Sequence, residues 1–186
     1  MKRLCDLVLA SCAALILVLP VVVVAVAVRL TSAGPALYWS DRVGRRNKIF
    51  KMPKFRSMRL GTPAVATHLL LNATSHLTPI GSFLRKSSLD ELPQLWSILV
   101  GDMSFVGPRP ALFNQHDLIQ LRTKLGVHEL VPGLTGWAQI NGRDELLVSE
   151  KAMLDVEYLH RKSLWFDICI LWLTFVKVVR RDGITH

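Results

Sequence analysis

An adjacent pair of acidic residues, Asp90 and Glu91, stands within a segment rich in turns and fixed charges, KSSLDELPQLWSILVGDMSFVGPRP. Two neighbouring carboxylates suit the hard cation Mg²⁺, which typically takes one or two carboxylates together with substrate phosphate oxygens. A carboxylate is also ionised at neutral pH, so it can attack phosphorus without a general base. The obstacle is repulsion by the anionic phosphate, which a metal ion and nearby arginines would relieve.

Fixed turns and strong charges surround this acid pair. Arg109 lies between two prolines in the run Gly-Pro-Arg-Pro at 107–110, and each proline fixes its own backbone angle and restricts its predecessor. This restriction lowers the entropy lost in presenting a guanidinium, whose fork of donors matches phosphate oxygens. Further turns at 132–137 and 141–143 also deliver polar groups. The segment therefore predicts a preorganised anion site, whose other nearby charges are Lys54, Arg56, Arg85, Lys86 and Asp102.

A purely structural role for the acid pair is the alternative. Ser88 and Glu91 have the spacing of a capping box, in which each residue satisfies a backbone donor at the start of a helix. Acids in a first helical turn also complement the helix dipole. These two effects alone would account for both carboxylates, and it is the surrounding cations and turns that favour chemistry.

The segment from Leu7 to Val28 is apolar and contains no charged residue in 22 positions. A helix of this length measures about 33 Å, which is enough to cross the core of a bilayer. Lys2 and Arg3 precede the segment, and nine basic residues follow it between positions 29 and 59, opposed only by Asp41. Positive flanks mark the cytoplasmic side of a membrane, so both ends favour the same side.

Pro20 lies inside this apolar segment. Proline removes a helical hydrogen bond and kinks a helix, so a helix that enters the bilayer, bends and returns would satisfy both flanks. We therefore expect a re-entrant membrane helix over residues 1–29, with a straight span as the alternative because kinked spans also exist.

Composition limits the other classes of function. The chain has 186 residues, a net charge of +9 and 51% hydrophobic residues. Nucleic-acid binding is the weakest hypothesis, since no binding motif is present and the basic residues lie beside the membrane segment, where most of them suit anionic lipid. Three widely spaced cysteines fit reduced packing residues in a cytosolic setting, and the scattered histidines have no zinc spacing.

The remaining pattern predicts a mostly helical α+β fold. Glycine, proline and asparagine around the short runs 36–39 and 48–50 predict short strands or a hairpin close to the lipid headgroups. A helical pattern extends from Ile80 to the turn at Gly101 and is interrupted at Pro93. Further helices are expected at 111–125, at 150–161, which is amphipathic, and at 164–179.

The last predicted helix, 164–179, is very apolar and is followed by Arg180 and Arg181. Such a helix lies either at the membrane interface, with its arginines at the headgroups, or in the protein core. The expected architecture is thus the re-entrant helix, residues 1–29, followed by a small cytosolic catalytic domain, residues 30–186, with amphipathic interfacial helices.

Three motifs resemble those of the bacterial sugar transferases, the small monotopic phosphoglycosyl transferases. They are KFRSM (54–58), LRKSSLDELPQLWSILVGDMSFVGPRP (84–110) and PGLTGWAQINGR (132–143). The resemblance extends over nearly the whole chain and implies the minimal form of the family, in which no further membrane domain precedes the catalytic unit. A re-entrant membrane helix is also a property of that family.

The resemblance implies a reaction and a set of residues. Members of the family transfer a sugar-1-phosphate from a UDP-sugar to a polyprenyl phosphate such as undecaprenyl phosphate, with release of UMP and with Mg²⁺, at the cytoplasmic face of the bacterial inner membrane. Asp90 would be the nucleophile that forms a phosphosugar intermediate in a ping-pong sequence, and Glu91 would help Asp90 to hold Mg²⁺. The substrate-binding positions implied are Lys54, Arg85, Arg109, Arg143 and Asp155.

The sequence departs from the family pattern in places. Leu19 precedes the proline at the membrane kink, where the family often has serine, and Val148 stands where an aromatic residue is common. Residues 61–77 lack the usual charged insert. The sugar donor thus stays open among glucose, galactose, N-acetylated hexosamines and deoxy sugars, as does the oligomeric state. The alternative function is a non-enzymatic module that gathers anionic lipids or a partner at the membrane surface.

Overall fold

The computed structural model of the protein describes residues 1–63, 65, 72–142 and 146–180. It is a mostly helical α+β fold, as predicted. The helices are α1 (Lys2–Thr31), α2 (Gly81–Lys86), α3 (Leu95–Val100), α4 (His116–Lys124), α5 (Trp137–Ile140), α6 (Val148–Arg161) and α7 (Leu164–Arg180), with 3₁₀ helices at Arg45–Asn47, Ala73–His76, Leu89–Gln94 and Val127–Glu129. The strands are β1 (Leu37–Val43), β2 (Ile49–Phe55), β3 (Ser104–Val106) and β4 (Gly133–Thr135).

Helix α1 has 30 residues and contains Pro20 without interruption of the helix. At 1.5 Å per residue it is about 45 Å long. Among the described residues it is the one helix whose length and composition would allow it to cross a membrane. The side chains of Leu15, Ile16 and Leu19, in its middle, are largely exposed.

The first turns of α1 are bound to the rest of the protein by polar contacts. The Lys2 ammonium pairs with the Asp167 carboxylate and donates hydrogen bonds to the Val106 carbonyl, at 2.9 Å, and the Tyr158 hydroxyl, at 3.1 Å. The buried Asp6 carboxylate accepts hydrogen bonds from strand β3. Ala10 follows in a hydrophobic cluster with Met52, Ile98 and Met103.

The last turns of α1 are bound to the same body. Val28 is buried with Phe55 and Leu84, and the Arg56 guanidinium donates to the Ser32 carbonyl at 2.9 Å and to the Ser32 hydroxyl at 2.8 Å. A helix that crossed a bilayer straight would place its two ends on opposite sides, where one folded body cannot hold both. These contacts therefore favour the re-entrant path, whereas the kink, the placement in a membrane and the division at residue 29 stay predictions.

The topology of α1 can be tested with single cysteines in a variant that lacks the three native ones. Cysteines at the exposed positions Met1 and Leu30 are expected to react with a membrane-impermeant maleimide from the same side of sealed vesicles, because both ends of the helix contact one body. A cysteine at Leu15 serves as the control and should be shielded by lipid. If the cysteines at positions 1 and 30 were labelled from opposite sides of the vesicle membrane, α1 would be a straight span.

Strands β1 and β2 form the predicted hairpin, although both are longer than the sequence pattern indicated. Tyr38 pairs with Lys54 and Arg42 pairs with Phe50 in an antiparallel register. Alternate residues of a strand point to the same face of a sheet, so Lys54 and Arg42 lie on one face of this hairpin. The connecting turn includes Asn47 in a left-handed conformation, with φ of 58°.

The helical region between residues 81 and 100 is broken at a different point from the one predicted. Ser88 has a left-handed backbone conformation, with φ of 55°, and separates α2 from the 3₁₀ helix Leu89–Gln94. Pro93 does not interrupt the structure, because it lies in that 3₁₀ helix just before α3 begins. A proline near the start of a helix lacks only a donor that has no acceptor within the helix.

The carboxyl-terminal half of the fold packs around a second core. Strands β3 and β4 are parallel, and Val106, Ile140, Tyr158, Phe166 and Ile170 form the buried cluster beside them. Helices α6 and α7 match their predicted ranges closely, whereas α4 begins only at His116. Helix α7 buries one face and exposes large apolar side chains on the other, namely Trp165, Ile168, Trp172 and Phe175. One face of α7 thus belongs to the protein core, whereas contact of the exposed face with lipid stays a prediction.

Candidate active site

The acid pair lies on the 3₁₀ helix Leu89–Gln94, directly after the left-handed Ser88. A non-glycine residue seldom adopts this conformation, and such strained residues cluster at functional sites. The Ser88 carbonyl accepts a hydrogen bond from the Glu91 amide at 3.1 Å. Among the described residues its side chain makes no capping hydrogen bond, so the capping box considered from the sequence does not form. Both carboxylates are therefore available for other partners.

Glu91 is bound by two cations from different parts of the fold. Its Oε1 atom lies 2.9 Å from Lys54 Nζ, which strand β2 supplies, and 3.2 Å from Arg109 Nη2, which the proline-flanked turn supplies. Both the Glu91 and the Lys54 side chains are 15% exposed. The structure thus brings together three of the residues that the sequence predicted for this site.

Asp90 differs from its neighbour. It is buried, with 8% of its surface exposed, and its carboxylate accepts no hydrogen bond from any residue that the structure describes. Burial raises the pKa of Asp90, and the negative charge of Glu91 raises it further. The positive charges of Lys54, Arg85 and Arg109 act in the opposite direction. Among the described residues Asp90 thus has no hydrogen-bond donor, and the charges of nearby cations are what favours its ionised form.

Lys54 is affected by the same crowding. Burial is the main cause that lowers the pKa of Lys54, and the charges of Arg109 and Arg42 lower it further, whereas Glu91 and Asp90 raise it. The charge states of Lys54 and Asp90 therefore depend on each other. Arg85, in the last turn of α2, contributes a further positive charge that acts on Asp90.

The acid pair lies directly beside the apolar helix. Leu89 and Leu92, which flank the two acids, pack against the buried cluster that includes Val24 and Val28 of α1. A substrate with a lipid tail and a phosphate head would thus meet apolar surface next to fixed cations. This juxtaposition suits phosphate chemistry on a lipid.

The other two predicted substrate-binding residues are placed elsewhere or lie outside the described chain. Asp155 is 1% exposed, and its Oδ2 atom accepts hydrogen bonds from Arg122 Nε at 2.9 Å and from Arg122 Nη2 at 2.6 Å. Burial raises the pKa of Asp155, and Arg122 opposes this effect. Asp155 is not part of the cluster around the acid pair, so direct contact with substrate stays a prediction. Arg143 is outside the described residues.

Asp90 and Glu91 form a donor set that fits Mg²⁺. Within the described ranges no three His, Cys, Asp or Glu residues come close enough to form a complete metal site. Mg²⁺ does not need one, since it usually takes one or two carboxylates and completes its shell with water and substrate phosphate. The Asp90 oxygens, which accept no hydrogen bond from the described part of the chain, could bind such a ligand.

Two arginines at the site were not recognised from the sequence as part of it. Arg42 was grouped with the lipid-binding basic residues, yet its Nη1 atom lies 3.2 Å from the Pro110 carbonyl and its charge acts on Lys54. The strand alternation of the hairpin could have placed it beside Lys54. Arg122 was not singled out, because its partner Asp155 is 33 residues away and no local pattern connects the two.

The chain is similar in sequence to known sugar transferases. A model of the family described as bacterial sugar transferase matches residues 1–181. A UDP-glucose:undecaprenyl-phosphate glucose-1-phosphate transferase of Escherichia coli (strain K12) is 43% identical over 186 residues, covering 95% of this chain and 40% of that protein. A UDP-galactose-lipid carrier transferase of Erwinia amylovora is 35% identical over 199 residues, covering 98% of this chain and 41% of that protein.

A relative of similar length also exists. An uncharacterized sugar transferase, EpsL, of Bacillus subtilis (strain 168) is 40% identical over 190 residues, covering 99% of this chain and 90% of that protein. The chain thus spans nearly the whole of this relative and 40% of the Escherichia coli one.

Proposed function

Because the chain belongs to the bacterial sugar transferase family, we propose that it transfers a sugar-1-phosphate from a UDP-sugar to a polyprenyl phosphate such as undecaprenyl phosphate. UMP is the second product, and the lipid-linked sugar starts the assembly of a glycoconjugate or polysaccharide. The donor and acceptor classes are supported by the name of the Escherichia coli relative. We place the reaction at the cytoplasmic face of the bacterial inner membrane, in line with the positive flanks of α1.

The proposed reaction has two covalent steps. In the first, an Asp90 oxygen attacks the sugar-linked phosphorus, an oxygen–phosphorus bond forms, and the bond to UMP breaks. In the second, a phosphate oxygen of the lipid attacks the same phosphorus, and the bond to Asp90 breaks. The carboxylate is thereby regenerated, and the product is a polyprenyl diphosphate sugar.

The neighbouring residues prepare Asp90 for this attack. Its carboxylate accepts no hydrogen bond from the described residues, so none of them has to move away before the new bond to phosphorus forms. Lys54 and Arg109 hold Glu91 in place through its Oε1 atom, and their charges, with that of Arg85, offset the repulsion between Asp90 and an incoming phosphate. Asp90 and Glu91 would hold Mg²⁺, which when bound supplies further positive charge to the phosphates.

The single observation that carries this proposal is the contrast within the acid pair. Glu91 is paired with two cations, whereas the adjacent Asp90 is buried, accepts no hydrogen bond from the described residues and lies beside the apolar helix. A lipid-gathering surface would need exposed cations and has no use for a buried carboxylate.

The test is a UMP-release assay of the detergent-solubilised or nanodisc-embedded chain with Mg²⁺, polyprenyl phosphate and a panel of UDP-sugars. UMP release with one or more donors is expected, and label from the donor should attach to the protein when the lipid is omitted. An acyl phosphate is cleaved by hydroxylamine, so the attached label should be lost on that treatment. Binding to anionic vesicles with no UMP from any donor would instead favour the non-enzymatic surface module.

A further inference from the structure

The backbone of the turn at residues 107–111, which presents Arg109, is bound from several sides. The Gly107 amide donates to the Thr135 carbonyl at 2.9 Å, and the Gly133 amide donates to the Pro108 carbonyl at 2.9 Å. These two backbone segments approach so closely that a Cβ atom on Gly133 would lie 2.1 Å from the Gly107 nitrogen. At the far end the Val43 amide donates to the Ala111 carbonyl at 2.9 Å.

The two central carbonyls of the turn are bound by arginine side chains. Arg122 Nη1 donates to the Arg109 carbonyl at 2.8 Å, and Arg42 Nη1 donates to the Pro110 carbonyl at 3.2 Å. Prolines 108 and 110 have no N–H, so the turn has few backbone donors of its own that could bind these two carbonyl oxygens. The position of Arg109 along the turn therefore depends on side chains from β1 and α4.

Packing leaves a gap on one side of the turn. Pro108, Pro110 and Ala111 are buried, but a cavity of about 30 Å³ lies against the turn and is lined in part by these residues, Arg109 and Arg122. Side chains that border a void lose the contacts that atoms there would otherwise make. The hydrogen bonds from Arg122 and Arg42 therefore act together with packing to set the position of the central part of the turn.

Arg122 is well suited to set that position because it is itself immobilised. Its side chain is 11% exposed, and it binds one oxygen of the buried Asp155 through two nitrogens. A buried ion pair is often no more stabilising than an apolar pair of the same size, and its best-supported use is to specify one arrangement. Asp155 and Arg122 thus connect α6 to the turn at the acid pair.

We propose that Arg122, fixed by Asp155, is a positioning residue that holds the Arg109 guanidinium at Glu91. This inference rests on the proposed function for its catalytic consequence, but the geometry of the turn can be measured without it. Among the described residues Arg122 bonds to Arg109 and Asp155 and not to the acid pair, so it acts on the reaction only through Arg109. The same geometry gives Asp155 a supporting role instead of direct contact with substrate.

The test compares Arg122→Gln and Arg122→Lys with the wild type in nanodiscs. Glutamine removes the charge and the guanidinium fork and leaves one shorter amide donor. We expect kcat to fall about 10- to 100-fold, as a small misplacement of a substrate-positioning group can do. The KM for the UDP-sugar should change less, because Arg122 does not touch the donor. Lysine keeps the charge toward Asp155 and should restore part of kcat.

Arg45→Gln is the matched control. Arg45 also donates to a backbone carbonyl, that of Glu129, at 2.9 Å and pairs with its carboxylate. Among the described residues it makes no hydrogen bond to the turn, and its side chain is 54% exposed. Its loss should leave kcat unchanged.

Hydrogen–deuterium exchange supplies a readout that does not depend on activity. In Arg122→Gln, peptides that cover residues 107–112 should exchange faster, whereas peptides from α7 should not change. The proposal would be overturned if both Arg122 variants had the kcat and the exchange rates of the wild type. It would also be overturned if exchange became faster throughout the protein in both variants. If the wild type released no UMP, the proposed function would fail, while a local exchange difference would still support the positioning of the turn.

Discussion

Replacement of Asp90 by asparagine is expected to lower UMP release by at least about 10³-fold, since loss of a covalent nucleophile usually has an effect of this size or larger. Asparagine has nearly the same shape but no charge and a much weaker nucleophilic oxygen. The labelled phosphosugar should also fail to attach to the protein. Asp102→Asn is the control, because Asp102 is an exposed carboxylate that lies after α3 and is not part of the acid pair.

The same variant should be more stable than the wild type. Burial raises the pKa of Asp90, so the folded state holds its proton more tightly than the unfolded state does. The free energy of unfolding therefore falls as the pH rises from the unfolded pKa of Asp90 through its folded pKa. Asparagine removes this penalty, and Tm should rise at neutral pH, with a smaller gain under acidic conditions. Full turnover by Asp90→Asn would exclude the covalent route, and lost activity with a lowered Tm would indicate a structural role.

Replacement of Lys54 by methionine is expected to lower kcat/KM by about 10²- to 10³-fold, which is the usual effect of removing one preorganised charge or donor from an active site. Lys54 binds Glu91 at 2.9 Å and is the cation with the largest effect on Asp90. Methionine keeps most of the volume and the apolar stem, so the hairpin should stay folded. Lys51→Met is the matched control, because Lys51 lies on the same strand with a side chain that is 72% exposed and pairs only weakly with Asp41.

The pH profile distinguishes loss of charge from loss of packing in Lys54→Met. The Lys54 charge lowers the pKa of Asp90, so its removal should raise that pKa further. Only the ionised carboxylate attacks phosphorus, and the acid limb of the profile of kcat/KM should therefore move to higher pH. Raising the pH should restore part of the lost activity. An unchanged acid limb, or an equal effect of Lys51→Met, would show that Lys54 does not control the charge state of Asp90.

Much of the fold could be predicted from the chemistry of short stretches of the sequence. The hairpin between residues 36 and 55, the amphipathic α6 and the apolar α7 follow from turn residues and from the spacing of apolar side chains, which act over a few positions. The break before the acid pair could not be placed in the same way. Ser88 adopts a left-handed conformation that no preference of serine predicts, and Pro93 fits at the start of a helix as well as it would end one.

The residue types alone determined that this chain carries an acid pair, a proline-restricted arginine and an apolar helix with positive flanks, because charge and backbone restriction are properties of single residues and short runs. Only the tertiary structure decided that the two acids differ. Lys54 lies 37 positions before Glu91 and Arg109 lies 18 positions after it, and no spacing predicts that both bind one oxygen while Asp90 is left without a donor among the described residues. Burial sets the direction of the pKa shifts of Asp90 and Lys54. It arises where α1 and the hairpin pack against this segment, and it is a property of the folded whole.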